Sequence, residues 1–395
     1  MSAEKNNILI VAGEASADLH GANVVAALRR MNPAIKVRAM GGDHLRRAGA
    51  EILVDSSRLA VVGITEVLGR LGDLIRAYRN LKRVVQNGET GLLVLIDFPD
   101  FNLRLAGVAR EAGVPVLYYI SPQVWAWRSG RTKMIAGRVD RMAVIFPFEA
   151  PLYREAGLEA EFVGHPLMDT LGMPGDLPLS LAKNGWRGDP LIALLPGSRH
   201  KEVKFLLPEM IRAAQIISGK KSGAKFLLAL APSIHPEEVK DLLPPQDTRI
   251  QVVEGRTYEV LRAADLALVA SGTATLETAI LGKPMVIVYR VSPLSYWVAR
   301  AMVKVKWIGL VNLVAGRALV PELIQAKAKG EQIALEALRI LEDGSYREEM
   351  VRGLAGVRER LGSPGAAERV ARMAIEMMKR QIPSLKSQTN SDDRN

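Results

Sequence analysis

The residues of this chain best suited to chemistry sit in turns that follow apolar runs. Leu92 to Ile96 reads as a buried strand, and Asp97-Phe98-Pro99-Asp100 turns off its C-terminal end, where two carboxylates can reach a cleft. In Val269-Ala270-Ser271-Gly272-Thr273-Ala274-Thr275-Leu276-Glu277 a second apolar strand passes through a small-residue turn into a helix. The backbone N–H groups of such a turn face a phosphate, Ser271 or Thr273 can cap the helix, and the helix N-terminus attracts an anion. Glu277 lies one turn further in, where a carboxylate can accept two hydroxyl hydrogens from a ribose. Leu194-Leu195-Pro196-Gly197-Ser198-Arg199 repeats the arrangement: Gly197 and Ser198 make the turn, and Arg199 offers a diphosphate a fork of donors. Plainer explanations stand beside these: turn-capping aspartates, a capped helix with a surface glutamate, and a solvated loop arginine.

Such turns must be held by strands and helices. Ile8 to Ala12 reads as a strand, Gly13 to Asp18 as a loop and Gly21 to Arg30 as part of a helix, which opens a βαβ series with further strands at 91–96, 114–120 and 141–145. Proline and glycine collect at Val163 to Leu167 and Met173 to Pro178, which marks a hinge. A second series follows, with strands at 191–195, 225–231, 250–253, 266–269 and 284–289. The expectation is an α/β protein of two parallel-sheet domains, 1–170 and 171–350, facing a central cleft. C-terminal helices over 351–383, broken at Gly362-Ser363-Pro364-Gly365, are free to pack back on the first domain, and the polar tail 384–395 reads as disordered.

With 395 residues, 48% hydrophobic and 24% charged, the composition is that of a folded globular chain of two domains. It contains no cysteine, which excludes disulfides, thiolate metal sites and a cysteine nucleophile. The five histidines show no metal-ligand spacing and no Asp-x-Asp pair ends a strand of the second domain, so neither a metal nor another cofactor is expected. No signal peptide and no apolar stretch of about 20 residues is visible, so any membrane contact is expected to be peripheral. The net charge of +11 favours an anionic surface, and no nucleic-acid-binding module is recognisable.

Ile64, Val67, Leu68, Leu71, Leu74 and Ile75 recur at helical spacing with Tyr78 and Leu81, while arginines and lysines lie largely off that stripe. The stripe fits a core-facing helix, or one that meets an anionic lipid surface, a reading favoured by Gly63, Gly69 and Gly72. Tyr296 to Trp307 mixes aromatics with cations in the manner of a membrane-interface segment, or of a core helix with exposed lysines.

Several blocks together resemble the lipid-A-disaccharide synthase family: Ala12-Gly13-Glu14-Ala15-Ser16-Ala17-Asp18, Ile96 to Asn102, Ser121-Pro122-Gln123-Val124-Trp125-Ala126-Trp127-Arg128, the two glycine turns, Asn312 to Arg317 and Val320 to Leu323. The resemblance implies a GT-B fold of two Rossmann-like domains. It implies an inverting transfer from UDP-2,3-diacylglucosamine to 2,3-diacylglucosamine 1-phosphate that makes a β-1′,6 bond and releases UDP. It also implies UDP contacts from Asn312 and Arg317, acceptor contacts from Glu14, Ser16, Asp18, Trp125 and Arg128, and a cytoplasmic enzyme attached peripherally to the inner membrane of a Gram-negative cell. A homodimer is left open. Inverting displacement needs a base; Asp100, farther out in its loop, is the preferred one, with Asp97 holding the turn. Two other readings remain: a non-hydrolysing UDP-sugar 2-epimerase of the same architecture, and a basic membrane-surface binding protein without catalysis.

Overall fold

The structure is a computed structural model that describes residues 6–56, 64–127, 130–171, 186–243, 249–292, 296, 300 and 305–380; the side chains of 64–71 and 126–127 fall outside the description. The chain divides into two compact units, Met1–Pro166 with Gly365–Asn395, and Leu167–Pro364.

The first unit is built on a seven-stranded sheet of β1 (Asn7–Ala12), β2 (Lys36–Gly41), β3 (Glu51–Asp55), β4 (Leu92–Ile96), β5 (Val116–Tyr119), β6 (Arg141–Val144) and β7 (Glu159–Phe162). Their order across the sheet is β3-β2-β1-β4-β5-β6-β7, and every neighbouring pair is parallel. Parallel strands carry helices on both faces, so central strands are apolar throughout. Ile8 to Ala12 and Leu92 to Ile96 are all buried, each large aliphatic chain contributing about 1.5–3 kcal/mol of transfer free energy.

The second unit repeats the plan with β8 (Leu191–Leu195), β9 (Lys225–Leu230), β10 (Ile250–Glu254), β11 (Leu266–Ala270), β12 (Met285–Tyr289) and β13 (Glu322–Ile324), in the order β10-β9-β8-β11-β12-β13. In both sheets the strand order reverses beside the first strand, between β1 and β4 and between β8 and β11. Loops that leave the carboxyl ends of such a pair diverge to opposite faces and open a crevice, where doubly wound sheets take ligands. The turns at Gly13 and Asp97 flank one reversal, and those at Gly197 and Ser271 flank the other.

The C-terminal helices set apart by sequence as 351–383 are divided between the units at the Gly362–Gly365 break. Gly344–Arg360 belongs to the second unit, whereas Ala366–Arg380 packs on the Ala15–Met31 helix of the first. Arg141, almost fully buried, ties that last helix down: its guanidinium meets Glu159 at 2.8 Å, Glu376 at 3.0 Å and Glu161 at 3.4 Å.

Of the stripe proposed for lipid, Ile64, Val67, Leu68 and Leu71 have side chains outside the described part. Leu74 and Tyr78 pack on the first unit's core and Leu81 is fully buried, so Leu74 is a core contact; Ile75 on the same helix is 42% exposed. Most of Tyr296 to Trp307 also lies outside the described residues. None of the described helices is long and apolar enough to cross a membrane.

Candidate active site

Beyond β8 and β11 a cavity of about 500 Å³ opens, lined by Gly197, Ser198, Glu202, Tyr258, Ser271, Gly272, Thr273 and Glu277 among others. Gly197 has φ of 111°, and a Cβ there would stand 2.6 Å from a carboxylate oxygen of Glu202, so the turn accepts only glycine. Gly272 is the residue that precedes the Thr273–Ile280 helix, and no side chain caps it, contrary to the expectation for Ser271 or Thr273. Ser271 instead points its hydroxyl to the carbonyl of Ile308 at 3.4 Å. The first N–H groups of the helix therefore keep their donors for whatever enters the cavity.

Glu277 lines the cavity and accepts a 3.2 Å hydrogen bond from the hydroxyl of Tyr258; burial raises its pKa. Tyr258, in the first turn of the Thr257–Ala263 helix, carries no motif signal in the sequence. Arg199 is exposed and does not line the cavity; its guanidinium pairs at 2.9 Å with Glu202, which does.

Two residues expected to contact the nucleotide have protein partners in this structure. Asn312 is fully buried, its amide nitrogen donating to the Val320 carbonyl and Glu322 and its amide oxygen accepting from the backbone of Leu319 and Val320. All its hydrogen-bonding capacity is spent on closing the 316–322 loop. Arg317 pairs with Glu349 at 3.2 Å, away from the cavity lining.

In the first unit the two aspartates stand in different settings. Asp100 is 82% exposed and pairs with Arg131 at 3.3 Å. Asp97 is largely buried, and desolvation, aided by the charge of Glu14, raises its pKa to about 6. Its backbone is strained as well. Among the described residues four non-glycines have positive φ, and three of them, Asp97 at 48°, Phe98 at 49° and Ile120 at 63°, end the adjacent strands β4 and β5. Each such conformation costs about 1–3 kcal/mol and persists only where surrounding groups impose it. Here the Tyr118 hydroxyl and the Asn102 amide both donate to the Asp97 carbonyl at 2.6 Å, and the Phe98 ring fills the space a Cβ on Gly13 would need.

Glu14 and Ser16 are exposed at the same sheet end. Asp18, expected to meet the acceptor, is 4% exposed, and its carboxylate accepts the backbone N–H groups of Gly42, His44 and Leu45 at 2.6, 2.9 and 3.3 Å. It staples the loop after β2 instead. Trp125 is half-buried, with its indole N–H donating at 3.0 Å to Glu149, a buried carboxyl whose pKa burial raises to about 7. Arg128 falls outside the described residues. His165, buried beside Phe146, is held neutral, its pKa lowered to about 3 by burial and by nearby His20. Among the described residues no group of three or more His, Asp or Glu side chains is arranged to hold a metal ion.

A family model described as lipid-A-disaccharide synthetase matches residues 8–367. The chain belongs to the lipid-A-disaccharide synthase family. It is 46% identical over 380 residues to the lipid-A-disaccharide synthase of Geobacter metallireducens, covering 95% of this chain and 98% of that one. It is 48% identical over 375 residues to that of Syntrophus aciditrophicus, covering 94% and 98%. Membership in this family makes the chain a glycosyltransferase of lipid A disaccharide synthesis. Its GT-B architecture is shared with the calicheamicin glycosyltransferase CalG4, with a TM-score of 0.61 at 17% identity over 95% of this chain and 99% of that one. The UDP-GlcNAc 2-epimerase of Neisseria meningitidis bound to UDP-GlcNAc has the same fold, with a TM-score of 0.64 at 13% identity over 94% and 100%.

Proposed function

We propose that this glycosyltransferase moves a 2,3-diacylglucosaminyl group from UDP to the 6-hydroxyl of 2,3-diacylglucosamine 1-phosphate, with inversion, forming a β-1′,6 bond. Asp97 is the base, in place of Asp100. The observation that carries this reading is the strained, largely buried Asp97, whose pKa burial raises to about 6, which brings its carboxylate closer to the basicity needed to take a proton from a hydroxyl. As the acceptor oxygen attacks the anomeric carbon, its proton passes to Asp97, the bond from that carbon to the diphosphate oxygen breaks, and UDP leaves.

The cavity of the second unit takes the nucleotide. Glu277 receives the ribose hydroxyls, and the N–H groups at Thr273 with the Gly197-Ser198 turn meet the diphosphate. Arg199 exchanges Glu202 for the diphosphate when the donor binds, and its bidentate charge stabilises the departing group. Ile75 and the net charge of +11 suit peripheral attachment to an anionic lipid surface on the cytoplasmic face of the inner membrane.

The test is UDP release from the acylated donor with and without the acylated acceptor. Release that depends on the acceptor, lost in Asp97→Asn and kept within about threefold in Asp100→Asn, supports the reading. Interconversion of the donor sugar without acceptor would replace it with an epimerase, and loss in Asp100→Asn alone would return the base to Asp100.

A further inference from the structure

Glu149 lies outside the machinery described above and is only 1% exposed, at the first turn of the Glu149–Glu155 helix. A carboxyl group so buried persists because its oxygens are occupied by donors. One oxygen accepts the Ser121 hydroxyl at 2.7 Å and the Trp125 indole N–H at 3.0 Å; the other accepts the backbone N–H of Phe146 at 3.0 Å. A single side chain thus joins the loop beyond β5 to the loop beyond β6.

The group it fixes is a run of rings. Trp125 meets Phe148 edge-on at 5.2 Å, Phe148 stacks on Phe146 at 5.4 Å with planes 6° apart, and Phe146 lies 5.3 Å from His165. Phe146 and His165 are buried, whereas Trp125 and Phe148 are partly exposed. These rings stand at the same carboxyl edge of the sheet as Asp97, and β5 links the two places directly: Tyr118 braces Asp97, and Ser121, just past the strand, bonds Glu149.

We infer that Glu149 is a positioning residue that locks Trp125 against Phe148 as an apolar platform for an acyl chain of the acceptor. The inference rests on the transfer reaction proposed above. Hydrocarbon needs only apolar area, which the two partly exposed rings supply, and rigid rings supply it with little conformational entropy left to lose. A free tryptophan side chain would have to be ordered at each binding event.

Steady-state kinetics of the full chain with the acylated donor test this, using Glu149→Gln, Trp125→Phe and Phe148→Leu. Trp125→Phe keeps a ring but removes the N–H that Glu149 holds; Glu149→Gln turns an amide donor toward Ser121 and Trp125 or toward the Phe146 N–H. Each variant is expected to raise the KM for the acceptor by about tenfold while kcat at saturating acceptor and UDP affinity stay within about twofold. The combination of Glu149→Gln with Trp125→Phe should raise it little further, because both break one link. With a short-chain acceptor the variants should match the unaltered chain.

An unchanged acceptor KM in Trp125→Phe and Phe148→Leu would overturn the inference, as would an equal rise with the short-chain acceptor. If Glu149→Gln does not fold, those two variants decide. Failure of the underlying reaction shows separately, as absence of acceptor-dependent UDP release in the unaltered chain.

Discussion

The hydroxyl of Tyr118 donates to the main-chain carbonyl of Asp97 at 2.6 Å, so a fully buried strand residue holds the backbone of the acid on the neighbouring strand. Asn102 grips the same carbonyl from the other side. Tyr118→Phe removes one of the two braces that keep Asp97 and Phe98 in the left-handed region. The variant should lose about tenfold in kcat and about 1–2 kcal/mol of stability, with UDP affinity unchanged. Kinetics, calorimetric titration with UDP and thermal melts would check this; a full kcat would show that the brace is dispensable.

The pH dependence of kcat/KM should rise through an apparent pKa near 6, the value to which burial and Glu14 bring Asp97. Glu14→Gln removes the like charge and should move that limb to lower pH, because ionisation of Asp97 becomes easier. A limb that stays in place would mean that another group titrates.

Stability carries the same signature with the opposite consequence for fitness. The folded pKa of Asp97 lies above its ordinary 3.8, so its favourable contribution is complete at low pH and is lost as pH rises through about 6. Asp97→Asn removes that loss and also suits a left-handed backbone better. The inactive variant should therefore be more stable than the parent by roughly 1–3 kcal/mol at about pH 8, with the gain shrinking below about pH 4. Denaturant titrations at both pH values measure it, and a gain independent of pH would assign the effect to the backbone alone.

In the nucleotide cavity, Glu277→Gln should weaken UDP binding by about tenfold or more and leave inorganic pyrophosphate binding unaltered, since only the ribose contact changes. Tyr258→Phe should show a smaller loss of the same kind, because the phenol fixes the carboxylate without being indispensable. Equal loss for pyrophosphate would place Glu277 at the diphosphate instead.

The centre of each sheet is legible in the sequence because strands such as Leu92–Ile96 and Leu266–Ala270 are covered on both faces and read as unbroken apolar runs. Of the edge strands, β10 is read at 250–253, whereas β3, β7 and β13 are part-exposed, short and mixed in composition, and nothing local distinguishes them from loops; β2, inside its sheet, goes unread too because Lys36 and Arg38 interrupt its apolar run. The glycine turns at Gly197 and Gly272 are visible for a similar reason, since a turn at a strand end leaves a compositional mark.

Which acid does what is not visible. Asp97 and Asp100 differ in burial and backbone conformation, and the Tyr118 and Asn102 bonds that brace Asp97 form only on folding, so a reading by reach alone chooses the outer one. Asp18 and Asn312 mislead in the same way: short polar side chains inside motifs look like ligand contacts, while their partners here are protein groups in the loops that they close. Glu149 and Tyr258 leave no signal at all until their neighbours are known.

The return of Ala366–Arg380 to the first unit has a consequence for biosynthesis. A ribosome delivers all seven strands of the first sheet, and then the whole of Leu167–Pro364, before it makes the helix that covers the Ala15–Met31 helix and receives Arg141. Until then the nascent first unit carries a bare apolar seam, where Val370, Met373 and Met377 will later be buried, and a guanidinium without its Glu376 partner. The unit that emerges first is therefore finished last, and a chain stopped at residue 364 should be a client for chaperones rather than a working fragment.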